Sequence, residues 1–181
     1  MESNNKGSGR LVPTGWYRAG MAPQDYDMGI DREVSHSGTS SGFIRSTAAE
    51  PRPFGTLMQA FKADGYHGRR LRLSGYVRAE AVEGWAGLWM RVDGPTGTSL
   101  AFDNMQDRPI RGTLDWERYE IVLDVSEAST NIAFGVLLAG KGRIWVDDFE
   151  FDEVGGDVAV TDMRKRMQEL PSQPRNLGFE D

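Results

Sequence analysis

The run 85–93, WAGLWMRVD, carries residue types that suit ligand recognition. Successive side chains of a strand point to opposite faces, so one face of this run carries Trp85, Trp89, Arg91 and Asp93. Aromatic rings beside planar polar groups suit sugar rings and other flat, hydroxylated ligands, through packing on the ring face and paired hydrogen bonds. The alternative is that some of these tryptophans belong to the core and are covered by loops or by the C-terminal tail.

Polar and aromatic residues of neighbouring segments are expected to extend this face. The candidate ligand-binding residues are Gln59, Tyr76, Arg78, Trp85, Trp89, Arg91, Asp103, Asn104 and Arg108. Asp103 and Asn104 point to opposite faces of a strand, and Arg108 follows in a loop before a proline. This loop is interpreted either as an Asp–Arg network that fixes its conformation or as a polar wall at the mouth of a cleft. If the protein is an enzyme, Asp103 and Asp93 are the candidate general acids.

Other catalytic and metal-binding patterns are weak. Residues 38–42, GTSSG, match G-x-S-x-G, but a strand-like run follows where that motif requires a helix. The two histidines, His36 and His67, are too few for a three-histidine zinc site and are expected in turns. Residues 25–31 space their aspartates like a calcium-binding EF-hand loop, without the closing glutamate or the flanking helices.

Composition limits the class of protein. The chain has 181 residues, 39% of them hydrophobic, a net charge of −6 and no cysteine. The acidic balance argues against a nucleic-acid partner, and the lack of cysteine excludes disulfides and thiol chemistry. No signal peptide or membrane-length apolar run is found, so we expect a cytoplasmic protein without a membrane partner.

Short strand-like runs separated by turn residues predict an all-β domain. The predicted strands are 41–46, 54–63, 70–80, 85–93, 98–105, 118–125, 131–138 and 143–151. Residues 118–125 alternate, with Tyr119, Ile121, Leu123 and Val125 on one face. Strands with one apolar and one polar face predict an antiparallel sandwich. We expect a flexible tail over 1–12 and a jelly-roll sandwich over 13–155. Residues 156–181 are expected to form a short helix at 160–170, capped by Thr161, and a C-terminal strand that completes the sandwich or is swapped.

Several of these runs resemble a known family. The segments FGTLMQ, LRLSGYVRAE, WAGLWMRVDGP, AFDNMQDRPIRGTLDW, IAFGVLLAGKG and IWVDDFEF resemble bacterial jelly-roll modules of the galactose-binding-like, carbohydrate-binding-module type. Such modules are found attached to erythromycin-esterase-like hydrolases and to helix-turn-helix regulators. With PQDYDMGID and HSGTSSGFI, the resemblance covers about two-thirds of the chain.

The resemblance has two further implications. A segment like NLGFE usually forms the first strand of these modules, yet here it is 176–180. The tail is therefore expected either to return into its own sandwich, in a monomer, or to complete a neighbouring subunit, in a strand-swapped homodimer. The family also often holds a structural Ca²⁺, which implies Asp148 and Glu180 as ligands, helped by backbone carbonyls near 37–40. No organic cofactor is expected.

Three functions remain open at this point. The first is a ligand-binding module for a carbohydrate or a small polycyclic or glycosylated metabolite. The second is a small cyclase or isomerase of natural-product biosynthesis that uses the same cleft and one acid. The third is an oligomerising structural protein connected through its tail strand.

Overall fold

The computed structural model describes residues 11–168, 173–174 and 177–178. Within these residues the chain forms nine strands and one short α-helix. The strands are β1 (Tyr17–Gly20), β2 (Tyr26–Asp31), β3 (Ser41–Ser46), β4 (Gly55–Lys62), β5 (Arg70–Asp93), β6 (Ser99–Asp103), β7 (Ile110–Asp124), β8 (Asn131–Ala139) and β9 (Arg143–Val154), and the helix is α1 (Met163–Gln168). None of the helices in this described part is long and apolar enough to span a bilayer.

The strands pair in the antiparallel sense along a path β1-β4-β8-β5-β9-β3-β2, and β6 and β7 also pair with β5. One layer contains β1, β4, β8, β6 and the second half of β5; the other contains β2, β3, β9, β7 and the first half of β5. The predicted antiparallel jelly-roll sandwich is thereby confirmed.

Strand β5 belongs to both layers. Residues 70–80 pair with β9 and residues 85–93 pair with β8, so the two strands predicted there are one strand of 24 residues. The chain turns between the halves at Ala81, whose φ is 49°. Nearby, a Cβ atom on Gly84 would overlap the carbonyl oxygen of Ala139, so only glycine fits this close approach. Consequently β5 presents its two halves on different faces of the molecule.

The main core lies between the layers and follows the predicted alternation. Ile121, Leu123 and Val125 of the predicted run are buried, and Tyr119 packs against them at the edge of the core. The first half of β5 contributes Leu71, Leu73 and Val77, which are at most 1% exposed. The inward faces of both layers are therefore apolar, and polar or functional side chains must lie on the outward faces or in the loops.

The boundaries of several elements differ from the prediction. β1 and β2 were not expected, and β7 begins at position 110 rather than 118. The helix begins at Met163, where Asp162 Oδ1 accepts the Arg164 N–H, while the Thr161 hydroxyl instead contacts the backbone of β7. Asp162, and not Thr161, is therefore the cap. The predicted tail strand lies outside the described residues apart from positions 177 and 178, which form part of a turn.

Candidate functional site

A groove of about 440 Å³ lies on the outward face of the layer that contains the second half of β5. We call it the tryptophan groove. It is lined by Ala19, Gly20, Phe54, Thr56, Met58, Trp85, Trp89, Arg91, Phe102, Asn104 and Leu137. Its side chains come from β1, β4, β5, β6 and β8 and from the loops that flank them. The volume lies within the range typical of small-molecule sites.

The floor of the groove is a second apolar cluster, separate from the main core. Trp89, Ala133 and Leu137 are buried there, with Phe54, Met58, Trp85 and Phe102 packed around them. In the strand register, Gly135 lies between Met58 and Trp89. A Cβ atom on Gly135 would overlap the Leu57 carbonyl oxygen, so only glycine allows this close approach of β4 and β8.

The two tryptophans have different roles in this cluster. Trp89 is 7% exposed, and its Nε1–H donates to Thr56 Oγ1 at 2.8 Å. The Thr56 hydroxyl in turn donates to the Val136 carbonyl at 2.7 Å. Trp85 is half-buried at the side of the groove. Trp89 is thus a fixed floor and Trp85 is the accessible ring.

One polar group in the lining of the groove is the Arg91 guanidinium, which an ion pair holds in place. Arg91 Nε and Nη2 donate to Asp93 Oδ1 and Oδ2 at 2.7 and 3.0 Å. Asp93 is 4% exposed and also accepts from Asn131 Nδ2 at 2.9 Å. Both oxygens of Asp93 are engaged and buried, so this residue positions Arg91 and does not itself face the groove.

Asp103 and Arg108 do not form a wall of the groove. Asp103 is 0% exposed, and Arg108 Nη2 and Nη1 donate to its two oxygens at 2.6 and 3.1 Å. Asp103 also accepts the Met105 N–H, and Arg108 also donates to the Glu120 carbonyl. The pair fixes the β6–β7 loop, as in the interpretation of this loop as an Asp–Arg network, and corrects its interpretation as a polar wall with Asp103 and Arg108 as ligand-binding residues. Within this loop, Asn104 is the predicted site residue that lines the groove.

Three other predicted residues also lie elsewhere. Gln59 is on the face of β4 that carries Leu57, opposite to the groove, where a Cβ atom on Gly15 would be 3.8 Å from its amide. Tyr76 and Arg78 are in the first half of β5, on the other layer. They were expected beside Trp85 because 70–80 was predicted to be a separate strand next to 85–93, whereas it is the first half of β5 and lies in the other layer.

Tyr76 and Arg78 belong to a second polar–aromatic surface. The His36 ring stacks on the Tyr76 ring with 3.7 Å between ring centres, and the Trp116 ring makes an edge contact with the His36 ring. The Arg78 guanidinium is 5.4 Å from the centre of the Trp145 ring. This surface is separated from the tryptophan groove by the thickness of the sandwich, so the two cannot hold one small ligand.

The predicted calcium ligands receive no geometric support. Asp148 accepts from His36 Nδ1 and from Ser37 Oγ, each at 2.7 Å, and these hydrogen bonds hold the pKa of its carboxyl below the usual range. Glu180 lies outside the described residues. Across the described chain, no three acidic, histidine or cysteine side chains cluster closely enough to bind a metal. Calcium binding stays a prediction.

The EF-hand-like spacing at 25–31 falls mainly on strand β2 rather than on a loop. Asp27 pairs with Arg45, and Asp31 Oδ2 accepts from Arg143 and Trp145 at 2.7 and 2.9 Å. Within residues 38–42, β3 already begins at Ser41, so a strand stands where a nucleophile elbow requires a helix. The aspartates at 25–31 therefore do not form an EF-hand loop, and residues 38–42 do not form a nucleophile elbow.

Several groove residues were not predicted from the sequence. Phe54, Met58, Phe102 and Leu137 form most of its apolar wall. Met58 alternates with the core residue Leu57 along β4, so its outward direction was readable. The sequence could not predict that Met58 lies near Trp89, because the pairing of β4, β8 and β5 joins segments that are distant in the chain.

No family model matches this chain. A protein of Bacillus subtilis (strain 168) called "Uncharacterized HTH-type transcriptional regulator YbfP" is 47% identical over 168 residues, which are 92% of this chain and 57% of that protein. The chain therefore spans little more than half of the length of this relative.

The solved structures that resemble the chain share its fold at low sequence identity. The CBM22-1 xylan-binding domain of Paenibacillus barcinonensis Xyn10C has a TM-score of 0.58 and 13% identity, covering 81% of this chain and 90% of that domain. The family 22 carbohydrate-binding module of Clostridium thermocellum Xyn10B has a TM-score of 0.53 and 16% identity, covering 82% and 90%. The Stig cyclase Fisc of Fischerella sp. TAU, in complex with a substituted indole, has a TM-score of 0.54 and 12% identity, covering 80% and 87%.

Proposed function

We propose that this chain is a non-catalytic ligand-binding module that holds a small molecule in the tryptophan groove. The observation that carries the proposal is an apolar cluster on the outward face of a sheet, with the polar residues Arg91 and Asn104 in the lining of the groove. Small-molecule sites are typically concave and mostly apolar, with a few placed polar groups that orient the ligand. Trp89 is almost fully covered, so Trp85 is the tryptophan whose ring a flat ligand can contact.

The ligand we propose is a carbohydrate or a small polycyclic or glycosylated metabolite, because each presents a flat face that packs on an aromatic ring. The resemblance in fold to xylan-binding modules supports a site on this type of sandwich. It does not choose among ligands, since these proteins share less than a fifth of their residues with this chain.

The relative in Bacillus subtilis supports a more specific context. Its name assigns it to the helix-turn-helix regulators, and this chain matches 57% of its length. We propose that in proteins of this kind the module senses an effector, while another part of the chain contacts DNA. The net charge of −6 on the present chain fits a module that does not itself bind DNA.

The proposal of a cyclase is weaker, because neither candidate acid faces the groove. Asp103 is enclosed and paired with Arg108, and both oxygens of Asp93 are engaged by Arg91 and Asn131. The proposal of a structural protein joined by tail strands depends on 176–180, which are mostly outside the described residues. We therefore place binding first.

A tryptophan substitution tests the proposal. Binding of 2-naphthoate and of xylohexaose is measured by calorimetry for the unchanged protein, for Trp85→Ala and for Trp116→Ala, which removes a half-buried tryptophan on the other layer. Loss of the Trp85 ring is expected to weaken binding at least about tenfold, since a buried aromatic contact contributes on the order of 1.5–3 kcal/mol. The Trp116 control should bind normally. If both variants bind equally well, or if neither probe binds to the unchanged protein, the groove is not the site.

A further inference from the structure

We infer that the tryptophan groove recognises a flat, largely apolar molecule through an oxygen atom that only accepts hydrogen bonds, as in a carboxylate or a ketone. The inference rests on the proposed function and narrows its ligand class. It follows from the hydrogen-bond donors and acceptors in the groove that are not already used within the protein.

Arg91 supplies the first free donor. Its Nε and Nη2 are used by Asp93, and among the described residues Nη1 has no hydrogen-bond partner. The ion pair fixes the plane of the guanidinium, because two parallel hydrogen bonds to one carboxylate hold it rigidly. A ligand oxygen therefore meets a donor whose direction is set before binding.

Asn104 supplies the second free donor. Its Oδ1 accepts the Gln106 N–H at 3.1 Å, which determines which side of the amide is oxygen. The Nδ2 group has no partner within the described part of the chain. The loop that carries Asn104 is fixed by the Asp103–Arg108 pair, so this amide too is oriented by contacts outside the groove.

The side-chain oxygens that line the groove, Thr56 Oγ1 and Asn104 Oδ1, already accept hydrogen bonds from the protein. The Thr56 hydroxyl is occupied on both sides, by Trp89 Nε1 and by the Val136 carbonyl. The oxygens of Asp93 are buried in the ion pair, and the indole N–H of Trp85 can only donate. The remaining described lining is apolar.

A sugar fits such a lining poorly. Each hydroxyl both donates and accepts, and a hydroxyl hydrogen buried without an acceptor is destabilising. A carboxylate or ketone oxygen can accept from either nitrogen donor and brings no donor of its own that needs a partner. This set of free donors therefore favours an aromatic or polycyclic acid or ketone over an oligosaccharide.

The test compares naphthalene probes that differ only in their polar group. Dissociation constants are measured by calorimetry for 2-naphthoate, 2-acetonaphthone and the ammonium ion of 2-naphthylmethylamine, with xylohexaose as the sugar. We expect the carboxylate and the ketone to bind at least about tenfold more tightly than the ammonium ion and the sugar. An ammonium group or a sugar hydroxyl brings N–H or O–H donors that find no acceptor beside the N–H donors of the groove. Equal or tighter binding of the ammonium ion or of xylohexaose overturns the inference.

A matched pair of variants identifies the donor. Asn104→Asp keeps the oxygen that accepts the Gln106 N–H but replaces the Nδ2 donor by a second oxygen. Gln106→Glu adds the same charge at an exposed neighbouring position without removing a groove donor. Asn104→Asp is expected to weaken 2-naphthoate binding at least about tenfold more than Gln106→Glu does. Equal effects of the two variants would overturn the assignment.

Failure of the inference differs from failure of the proposed function. If all three naphthalene probes bind with similar affinity and Trp85→Ala abolishes their binding, the groove is a ligand site but not a selective acceptor site. If no probe depends on Trp85, the groove is not the ligand site, and the inference fails with the proposed function.

Discussion

Substitution of Arg108 by alanine is expected to destabilise the fold strongly, because Arg108 holds the β6–β7 loop and does not itself line the groove. The guanidinium donates to both oxygens of Asp103, to Asp107 and to the Glu120 carbonyl. Asp103 is 0% exposed, so removal of Arg108 leaves a buried carboxylate with the Met105 N–H as its remaining donor among the described residues.

The magnitude follows from the burial of this carboxylate. Removing one partner of a buried ion pair typically costs about 3–5 kcal/mol, most of it from the charge left uncompensated. A domain of this size has a free energy of unfolding of about 5–15 kcal/mol, so the loss is a large fraction of the total. It corresponds to a decrease in Tm of roughly 6–20 °C.

The assay is urea unfolding followed by circular dichroism, with 2-naphthoate binding measured on the folded fraction. A second substitution separates charge from packing: Asp103→Asn in the Arg108→Ala background removes the uncompensated charge and should recover about 1–2 kcal/mol of the free energy of unfolding. A loss below about 1 kcal/mol for Arg108→Ala, or weakened binding at unchanged stability, would refute the structural role that we assign to the pair.

Two further predictions concern the floor of the groove and the alkaline limit of stability. Thr56→Val leaves the buried Nε1–H of Trp89 without its acceptor, and should lower the free energy of unfolding by about 1–3 kcal/mol in urea titrations; an unchanged midpoint would contradict this. Burial raises the pKa of Tyr119 to about 12, above the value of about 10 for an unfolded tyrosine. Because the folded state favours the neutral phenol, this contribution is complete below pH of about 10 and is lost as the pH rises through about 12. An ultraviolet titration should show a late tyrosinate step that Tyr119→Phe removes, and a single step near pH 10 in both proteins would disprove the shift.

The strand pattern was readable from the sequence where alternation was clean. The buried face of 118–125 followed directly from its alternating apolar residues, since one face of each layer must pack on the other. β1 and β2 were missed because they are short and contain glycine, aspartate and tyrosine rather than a run of β-branched residues. The helix was placed correctly to within a few residues, but its cap was not, because Thr161 is used by the β7 backbone instead.

The direction of side chains within a strand was also readable, whereas the choice of neighbours was not. Trp85, Trp89 and Arg91 share a face of β5 as predicted, and all three line the groove. Tyr76 and Arg78 also point outward, but from the other layer, because β5 turns from one layer to the other at Ala81. A crossover of this kind is set by long-range pairing, which local alternation cannot reveal.

By itself, the sequence determined an antiparallel all-β sandwich and the presence of an outward tryptophan–arginine face, because alternation and residue type act within a strand. Only the tertiary structure decided which polar groups remain free. It enclosed Asp103 and Asp93 in ion pairs, used the Thr56 hydroxyl to hold Trp89, and left Arg91 and Asn104 in the lining of the groove with donors to spare. The physical reason is that a side chain's chemistry depends on its partners, and these partners come from strands that are far apart in the chain.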